Sequence, residues 1–443
     1  METQEEVAAI PTQLLDPRTS AERAVLVGTP RGPGGGEEAG EDLRELARLT
    51  DTAGGMVVGE IIQRIRAPGS RYYLGKGKAA ELRHLARERD AELIIFDDDL
   101  TPAQCSNLEK LCDVRVMDRT ELILDIFATR ARTYEARMQV ELAQLQYLLP
   151  RLRRMWVHLS RIRGGIGFRG PGETQLETDR RLIGTRIAEL RRKLKTVARS
   201  RATQRKRREG HFRAALVGYT NAGKSSLLEA LSGSRQFAED RLFATLDPST
   251  RSARLGDGYE ALVTDTVGFI RKLPHGLIAS FRSTLEEARE ADVLLHVVDA
   301  SHPDRDRQRE VVRGVLDDLE IVDRPRIPVF NKIDLLTGDD LLSLRQRMSD
   351  RAGERTALYT SALAPSTVEP LRSELRTRIR ARLQRIRVEF PAASGRVLSA
   401  LYENGEVLSR SQDGALVSVV AKAPPALVGW LRARGGVRVV EAG

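Results

Sequence analysis

Along residues 23–133 short apolar runs alternate with amphipathic stretches. The runs AVLVG (24–28), GMVVGEII (55–62), AELIIFD (91–97) and VRVM (114–117) have the length and residue types of strands. Between them EDLRELARLTDTA, GKAAELRHLARERD, TPAQCSNLEKLC and TELILDIFATRA carry apolar residues at helical spacing. Strand and helix in alternation predict a small parallel α/β domain. The segment GTPRGPGGGEEAG (28–40) is glycine-rich with no Lys-Ser/Thr behind it, and reads as a disordered loop.

The period then changes. Met138, Leu142, Leu145, Leu149, Leu152, Trp156 and Leu159 recur at alternating spacings of four and three. Leu176, Ile183, Ile187, Leu190, Leu194 and Val197 keep the same seven-residue seam. Two such seams predict an antiparallel coiled-coil hairpin. Pro150 should break the first helix near Leu149. From about 211 to 384 the α/β alternation returns, with strands RAALVGY, EALVTDT, DVLLHVVDAS, RIPVFNKID and RTALYTSAL. Each ends in polar residues, where open α/β sheets bind ligands. RTRIRARLQRIRV closes that domain or links it onward, and 388–443 read as a small α+β appendage with helices in GRVLSALYENG and PPALVGWLRARGG.

Composition narrows the function classes. The chain has 443 residues, 41% apolar and 30% charged, as expected of a soluble protein of several domains. No run approaches the roughly 18 continuous apolar residues of a membrane span, and the start METQEEVAAI is acidic; a cytoplasmic location is expected. Cys105 and Cys112 cannot build a disulfide framework or a metal quartet, and the six histidines lack ligand spacing, so no structural metal is expected. The net charge of +10 is concentrated. Residues 151–209 hold nineteen Lys and Arg against five Asp and Glu, a net of +14, which leaves −4 for the rest. A concentrated basic stripe is the electrostatic footprint of nucleic-acid binding.

The second α/β segment carries the chemistry. GYTNAGKSS follows an apolar strand and has the spacing GxxxxGK[ST] from Gly218 to Ser225. Its backbone N–H groups can cradle phosphates at a helix N-terminus, with Lys224 on the β- and γ-phosphates and the Ser225 hydroxyl on Mg²⁺. NKID (Asn331, Lys332, Ile333, Asp334) ends a later strand. The Asp334 carboxylate can accept from guanine N1–H and the 2-amino group, donors that adenine lacks, so GTP is favoured over ATP. The Ala362 N–H, in Ser361-Ala362-Leu363, could meet guanine O6. In DTVG, Asp265 would hold Mg²⁺ through water and the Gly268 N–H would touch the γ-phosphate. In FATLDPST, Thr245 is the expected second hydroxyl ligand of Mg²⁺, with Thr250 as its rival. Phe269 follows DTVG, where Ras-like GTPases carry the glutamine that orients the attacking water. A phenyl ring cannot do so, and slow intrinsic hydrolysis is expected.

Taken in order, GYTNAGKS, FATLD, DTVGF, NKID and SAL resemble the HflX family of translation-associated GTPases, as do RGPGETQLETDRR and YLLPRLRRMW. The resemblance covers residues 22–384 and implies a P-loop GTPase, slow alone and stimulated by the ribosome. It further implies a monomer that binds the large ribosomal subunit through rRNA and splits or rescues ribosomes. Carried over, GTP binding falls on Gly218, Tyr219, Thr220, Asn221, Ala222, Gly223, Lys224 and Ser225. It falls also on Phe243, Ala244, Thr245, Leu246 and Asp247, on Asp265, Thr266, Val267 and Gly268, on 331–334 and on 361–363. Mg²⁺ falls on Ser225 and Thr245, and Lys224 and Gly268 are the catalytic expectations.

The fold class expected is α/β, a P-loop GTPase domain between a helical hairpin and a small α+β domain. The segments are a tail at 1–22, an α/β domain at 23–133, a basic hairpin at 134–209, the GTPase domain at 210–385 and an appendage at 386–443. GGIGFRGPGETQLETDRR (164–181) contains GxGxxG but has no strand ahead of it, so a dinucleotide fold is rejected. Gly164, Gly165, Gly167, Gly170 and Gly172 make a thin hairpin tip. Arg163 and Arg169 offer phosphate contacts and Phe168 a base-stacking ring, with Arg180 and Arg181 counted as RNA contacts behind them. Two other readings stand beside this one: a regulatory switch for a protein partner, and a tRNA-modifying GTPase.

Overall fold

The computed structural model describes residues 21–30, 35–65, 68–69, 71–152, 171–206, 211–233, 242–273, 282–321, 323–350 and 357–441. These fall into two compact units, one up to Ile126 and one from Phe127 onward. Among the described residues no helix is long and apolar enough to cross a membrane.

The first unit is a four-stranded parallel sheet in the order β2-β1-β3-β4, with β1 (Arg23–Gly28), β2 (Met56–Ile62), β3 (Leu93–Phe96) and β4 (Arg115–Asp118). Helices α1 (Gly35–Thr52), α2 (Lys76–Glu88), α3 (Pro102–Cys112) and α4 (Arg119–Arg130) connect or follow the strands. Val25, Val27, Ile94 and Phe96 are fully buried, as expected of parallel strands covered on both faces. Thr101 caps α3 with a reciprocal Gln104 bond, each cap being worth about 1 kcal/mol. The glycine-rich stretch differs from expectation: α1 begins at Gly35, so 35–40 is helical and not loop.

In the second unit α5 (Tyr134–Leu148) packs against the long α6 (Pro171–Lys206). Met138, Leu142 and Leu145 meet Ile183, Ile187 and Leu190, flanked by Leu149, Leu152, Leu194 and Val197. Glu141 pairs with Arg186 at 2.7 Å and Glu135 with Arg201 at 2.8 Å. Numbers rise along one helix as they fall along the other, so the pair is antiparallel. α5 stops at Leu148, two residues before Pro150. Trp156 and Leu159 lie outside the described residues. α6 starts on Pro171, the helix position that Pro suits, so Gly172 and the rest of 171–181 are helix and not hairpin tip.

The larger sheet runs β10-β9-β8-β5-β7-β6, from β5 (Phe212–Gly218), β6 (Ser249–Gly256), β7 (Tyr259–Asp265), β8 (Val293–Asp299), β9 (Arg326–Asn331) and β10 (Leu358–Tyr359). All pairs are parallel except β6 on β7. The sequence pattern does not predict β6, an edge strand in which only Ala253 and Leu255 are buried. The last sheet is antiparallel, β12-β13-β11-β14, from β11 (Gln384–Pro391), β12 (Glu406–Asp413), β13 (Leu416–Ala423) and β14 (Arg438–Glu441). With its two helices it is a split β-α-β-β-α-β unit. The pattern alone makes β11 a closing or linking segment, yet Ile386, Val388 and Phe390 point into this unit's core.

Candidate functional site

β5 delivers the chain to Gly218, whose approach to the Val297 carbonyl leaves no room for a Cβ. The loop turns through left-handed Asn221 (φ 60°) and Gly223 (φ 86°), and α7 (Lys224–Ser232) starts directly behind it. A side chain on Gly223 would strike the Asn331 amide. The loop and the first helical turn thus direct backbone N–H groups at one point, a ready anion site. Lys224 is buried there; its Nζ donates to Tyr219 O at 2.8 Å and Gly218 O at 3.3 Å. Burial pulls its pKa down to about 8, with Asp265 opposing the shift. A phosphate anion would reverse that cost.

Three oxygens converge beside it. Ser225 Oγ lies 2.6 Å from Asp265 Oδ2 and 2.8 Å from Thr245 Oγ1, which is itself 2.8 Å from Asp265 Oδ2. The other carboxylate oxygen, Asp265 Oδ1, is buried without a side-chain hydrogen-bond partner among the described residues. Burial raises the Asp265 pKa, against the charge of Lys224. Two hydroxyls and a carboxylate with a spare oxygen are the hard donor set Mg²⁺ prefers. Thr250 is elsewhere, on β6, with its hydroxyl 2.9 Å from that of Thr264. Among the described residues no cluster of His, Cys, Asp and Glu could hold a metal.

The loop that carries Thr245 is anchored at both ends of FATLD. Phe243 is left-handed (φ 55°) and buried, its ring edge-on to Phe127 at 4.6 Å. The Asp247 carboxylate does not turn to the cavity: it accepts the N–H groups of Arg132 (3.2 Å) and Thr133 (3.1 Å) and the Thr133 hydroxyl. Thr133 is also the N-cap of α5, accepting from the Ala136 N–H. Leu246 is buried, and Ala244 exposed. The loop bearing Thr245 is therefore tied to the start of the helical pair, a link that the sequence does not reveal.

Asp265 is the last residue of β7, and Thr266, Val267, Gly268 and Phe269 follow it. The Thr266 hydroxyl donates to Leu216 O within the core, and Val267 is buried. Phe269 pairs with the P-loop backbone: its N–H donates to Gly218 O at 3.1 Å and its carbonyl accepts the Thr220 N–H at 2.7 Å. Its ring is 1% exposed. Thr220, Asn221, Gly223, Lys224, Ser225, Phe243, Ala244, Thr245 and Gly268 line one cavity, joined by Ser226, which sequence reasoning missed.

The two segments expected to recognise the base meet at the loops after β9 and β10. Buried Asn331 donates to Ala222 O (3.0 Å) and accepts the Ala362 N–H (3.1 Å), locking the P-loop to the second loop. That Ala362 N–H, expected on guanine O6, is thus engaged by Asn331 in this structure. Lys332 is left-handed (φ 63°) with Nζ 2.7 Å from Asp299. Ile333 and exposed Asp334 sit in a single 3₁₀ turn. Ser361 is buried, with its hydroxyl on the Leu363 N–H, and Leu363 is exposed.

The remaining expectations are unevenly covered. Arg163, Phe168 and Arg169 lie outside the described residues. Arg180 and Arg181 are exposed on α6. His296 is buried in β8, its pKa pushed down to about 3 by burial. Cys112 is buried with its thiol pushed up to about 11, and forms no disulfide.

Comparison with known proteins agrees with this geometry. Residues 40–128 match the family described as GTP-binding GTPase N-terminal, 130–208 the GTP-binding GTPase middle region and 213–332 the 50S ribosome-binding GTPase. The GTPase HflX of Caldanaerobacter subterraneus is 44% identical over 90% of this chain and 91% of its own length. That of Escherichia coli is 42% identical over 88% and 91%. A GTP-binding protein of Sulfolobus solfataricus, solved with GDP, aligns over 81% of this chain and 99% of its own at 23% identity and a TM-score of 0.42. P-loop, base segments and relatives along nine-tenths of the chain lead to one conclusion: this protein is a GTP-hydrolysing member of the HflX family.

Proposed function

We propose that this GTPase docks on the large (50S) ribosomal subunit through rRNA and uses the GTP state to split or rescue ribosomes. The observation that carries the reading is a cation stripe on α6. Arg180, Arg181, Arg191, Arg192 and Lys195 are exposed and take no part in an ion pair among the described residues. At about 100° per residue, Arg180, Arg191 and Lys195 share one ridge, with exposed Gly184 and Ala188 between them, and Arg181 and Arg192 flank it. Small residues among cations let a phosphate backbone approach closely. The apolar seam is filled by α5, so the cations are the free feature of this helix, and they favour RNA over a helical protein partner.

The helices' start is bound to the loop bearing Thr245, so a γ-phosphate that orders that loop also braces the RNA-facing pair. Within the site, Lys224 and the Gly268 N–H would stabilise charge on the transferred phosphoryl group, and Asp334 would select guanine. Ser225, Thr245 and Asp265 would hold Mg²⁺, which neutralises phosphate charge when bound. Binding to isolated large subunits, titrated against salt, tests the reading. Affinity should fall steeply on a log–log plot, and replacing the five cations by alanine should flatten the slope by about one for each phosphate that is no longer neutralised. A shallow slope unaffected by the five substitutions would favour a protein partner instead.

A further inference from the structure

Hydrolysis of GTP needs a group that turns a water toward the γ-phosphorus, and Phe269 is locked out of that role. Two backbone hydrogen bonds join it to the P-loop strand, and its ring lies in the core. Three other polar side chains of the cavity, which Ser226 also lines, are engaged. Ser225 and Thr245 bond Asp265, Lys224 bonds two P-loop carbonyls, and Asn221 stands exposed at the outer turn.

Thr220 is different. The residue lines the cavity but is only 6% exposed, and its Oγ1 is buried without a hydrogen-bond partner among the described residues. A buried hydroxyl left unpaired is a standing cost that a bound group relieves. Its place is set by Gly268, where an added Cβ would stand 2.8 Å from Thr220 Cγ2, 2.9 Å from Thr220 Cα and 3.1 Å from Lys224 Nζ. Thr220 therefore lies beside Gly268, as does the Lys224 ammonium, with its methyl nearest the glycine; rotation about the Cα–Cβ bond exchanges methyl and hydroxyl and brings Oγ1 to that place. A threonine hydroxyl donates once and accepts twice, so it can hold a water and a phosphate oxygen together.

We propose that the Thr220 hydroxyl orients the attacking water, the part that Phe269 leaves unfilled. The water oxygen bonds the γ-phosphorus as the bond from that phosphorus to the β,γ-bridging oxygen breaks. The bridging oxygen leaves with GDP, and one water proton passes to a γ-phosphate oxygen, giving dihydrogen phosphate. The step rests on the GTPase activity of the family and not on the ribosomal reading.

The test uses the full chain without ribosomes, comparing Thr220→Val, Thr220→Ala and Thr220→Ser. Single-turnover hydrolysis at saturating GTP should fall about tenfold or more in the Val and Ala variants and stay within about threefold in Ser. Affinity for GDP should hardly change, while the extra tightness that aluminium fluoride adds to GDP binding should vanish in Val and Ala only. Melting of the Val variant should match or exceed the native protein, since an unpaired hydroxyl has gone. Native turnover in Val and Ala overturns the proposal. So does a Ser variant as slow as they are, or a loss of GDP affinity in step with rate, each of which marks packing and not the hydroxyl. Should Val misfold, the Ala and Ser pair decides by the same readings.

Discussion

In the N-terminal sheet the polar residues at the carboxyl ends of the strands pair with one another; in the GTPase sheet the polar residues at the same ends pair around a cavity that they line. After β1, β3 and β4, Thr29 donates to Asp98, Thr120 to Asp99 at 2.5 Å, and the Leu100 N–H to Asp118 at 3.2 Å. Arg119 bridges Asp97 at 2.6 Å and Glu45. After β5 and β7, by contrast, Thr220, Lys224, Ser225, Thr245 and Gly268 line a cavity. Both segments are parallel α/β, so the architecture does not choose the chemistry. The loop residues do: a glycine turn that cannot accept a Cβ leaves room for phosphate, whereas a run of three aspartates is closed by threonines and arginine.

That contrast can be broken at several points. Lys224→Ala should lower single-turnover GTP hydrolysis about a thousandfold, because a donor aimed at developing charge is removed. Arg119→Met should leave hydrolysis per folded molecule intact while costing about 3–5 kcal/mol of N-terminal stability, since it strips a buried carboxylate of its cation. Denaturant melts followed alongside turnover would separate the two; a fall in turnover with Arg119→Met as large as that with Lys224→Ala would show that the two sheets do not differ in this way.

Smaller effects sharpen it. Asp334→Asn should weaken GTP about a hundredfold and admit xanthosine triphosphate, whose base presents an acceptor where guanine donates; competition binding reads this directly. Asp247→Ala frees the Thr245 loop from α5 and should weaken GTP about tenfold while sparing GDP. The mildest is pH. Lys224 in the free site has its pKa lowered to about 8, and phosphates raise it again. The charged form binds, so GTP affinity is full below pH 8 and declines above it, at most tenfold per unit, with a proton taken up on binding. Calorimetry in two buffers of different ionisation heat would show that uptake; no difference between buffers would remove Lys224 as the titrating group.

Much of the fold and site is legible in the chain, for physical reasons. The P-loop, Asp265 and Asn331 stand at strand ends whose apolar runs are continuous, and the α5–α6 seam is marked by apolar residues at heptad spacing on both helices. What escapes has weak local signals. β6 is an edge strand of polar residues with two buried positions, and β11 keeps the alternation Ile386, Val388, Phe390 but follows an arginine-rich helix that hides its start. Gly35–Gly40 has a composition that opposes helix, yet α1 extends through it. Pro171 at a helix start is a usable cue, overshadowed by the glycines before it. Tertiary features such as Asp247 on the α5 cap or the lone Thr220 hydroxyl have no sequence signature at all.

The most direct measurement is GTP turnover of the full chain with and without isolated large ribosomal subunits, run beside the variant lacking Arg180, Arg181, Arg191, Arg192 and Lys195. Strong stimulation of the native protein, abolished in the variant while its basal rate persists, is the predicted result. Turnover that large subunits leave unchanged, or stimulate equally without the five cations, would contradict the link between this helical face and the nucleotide site.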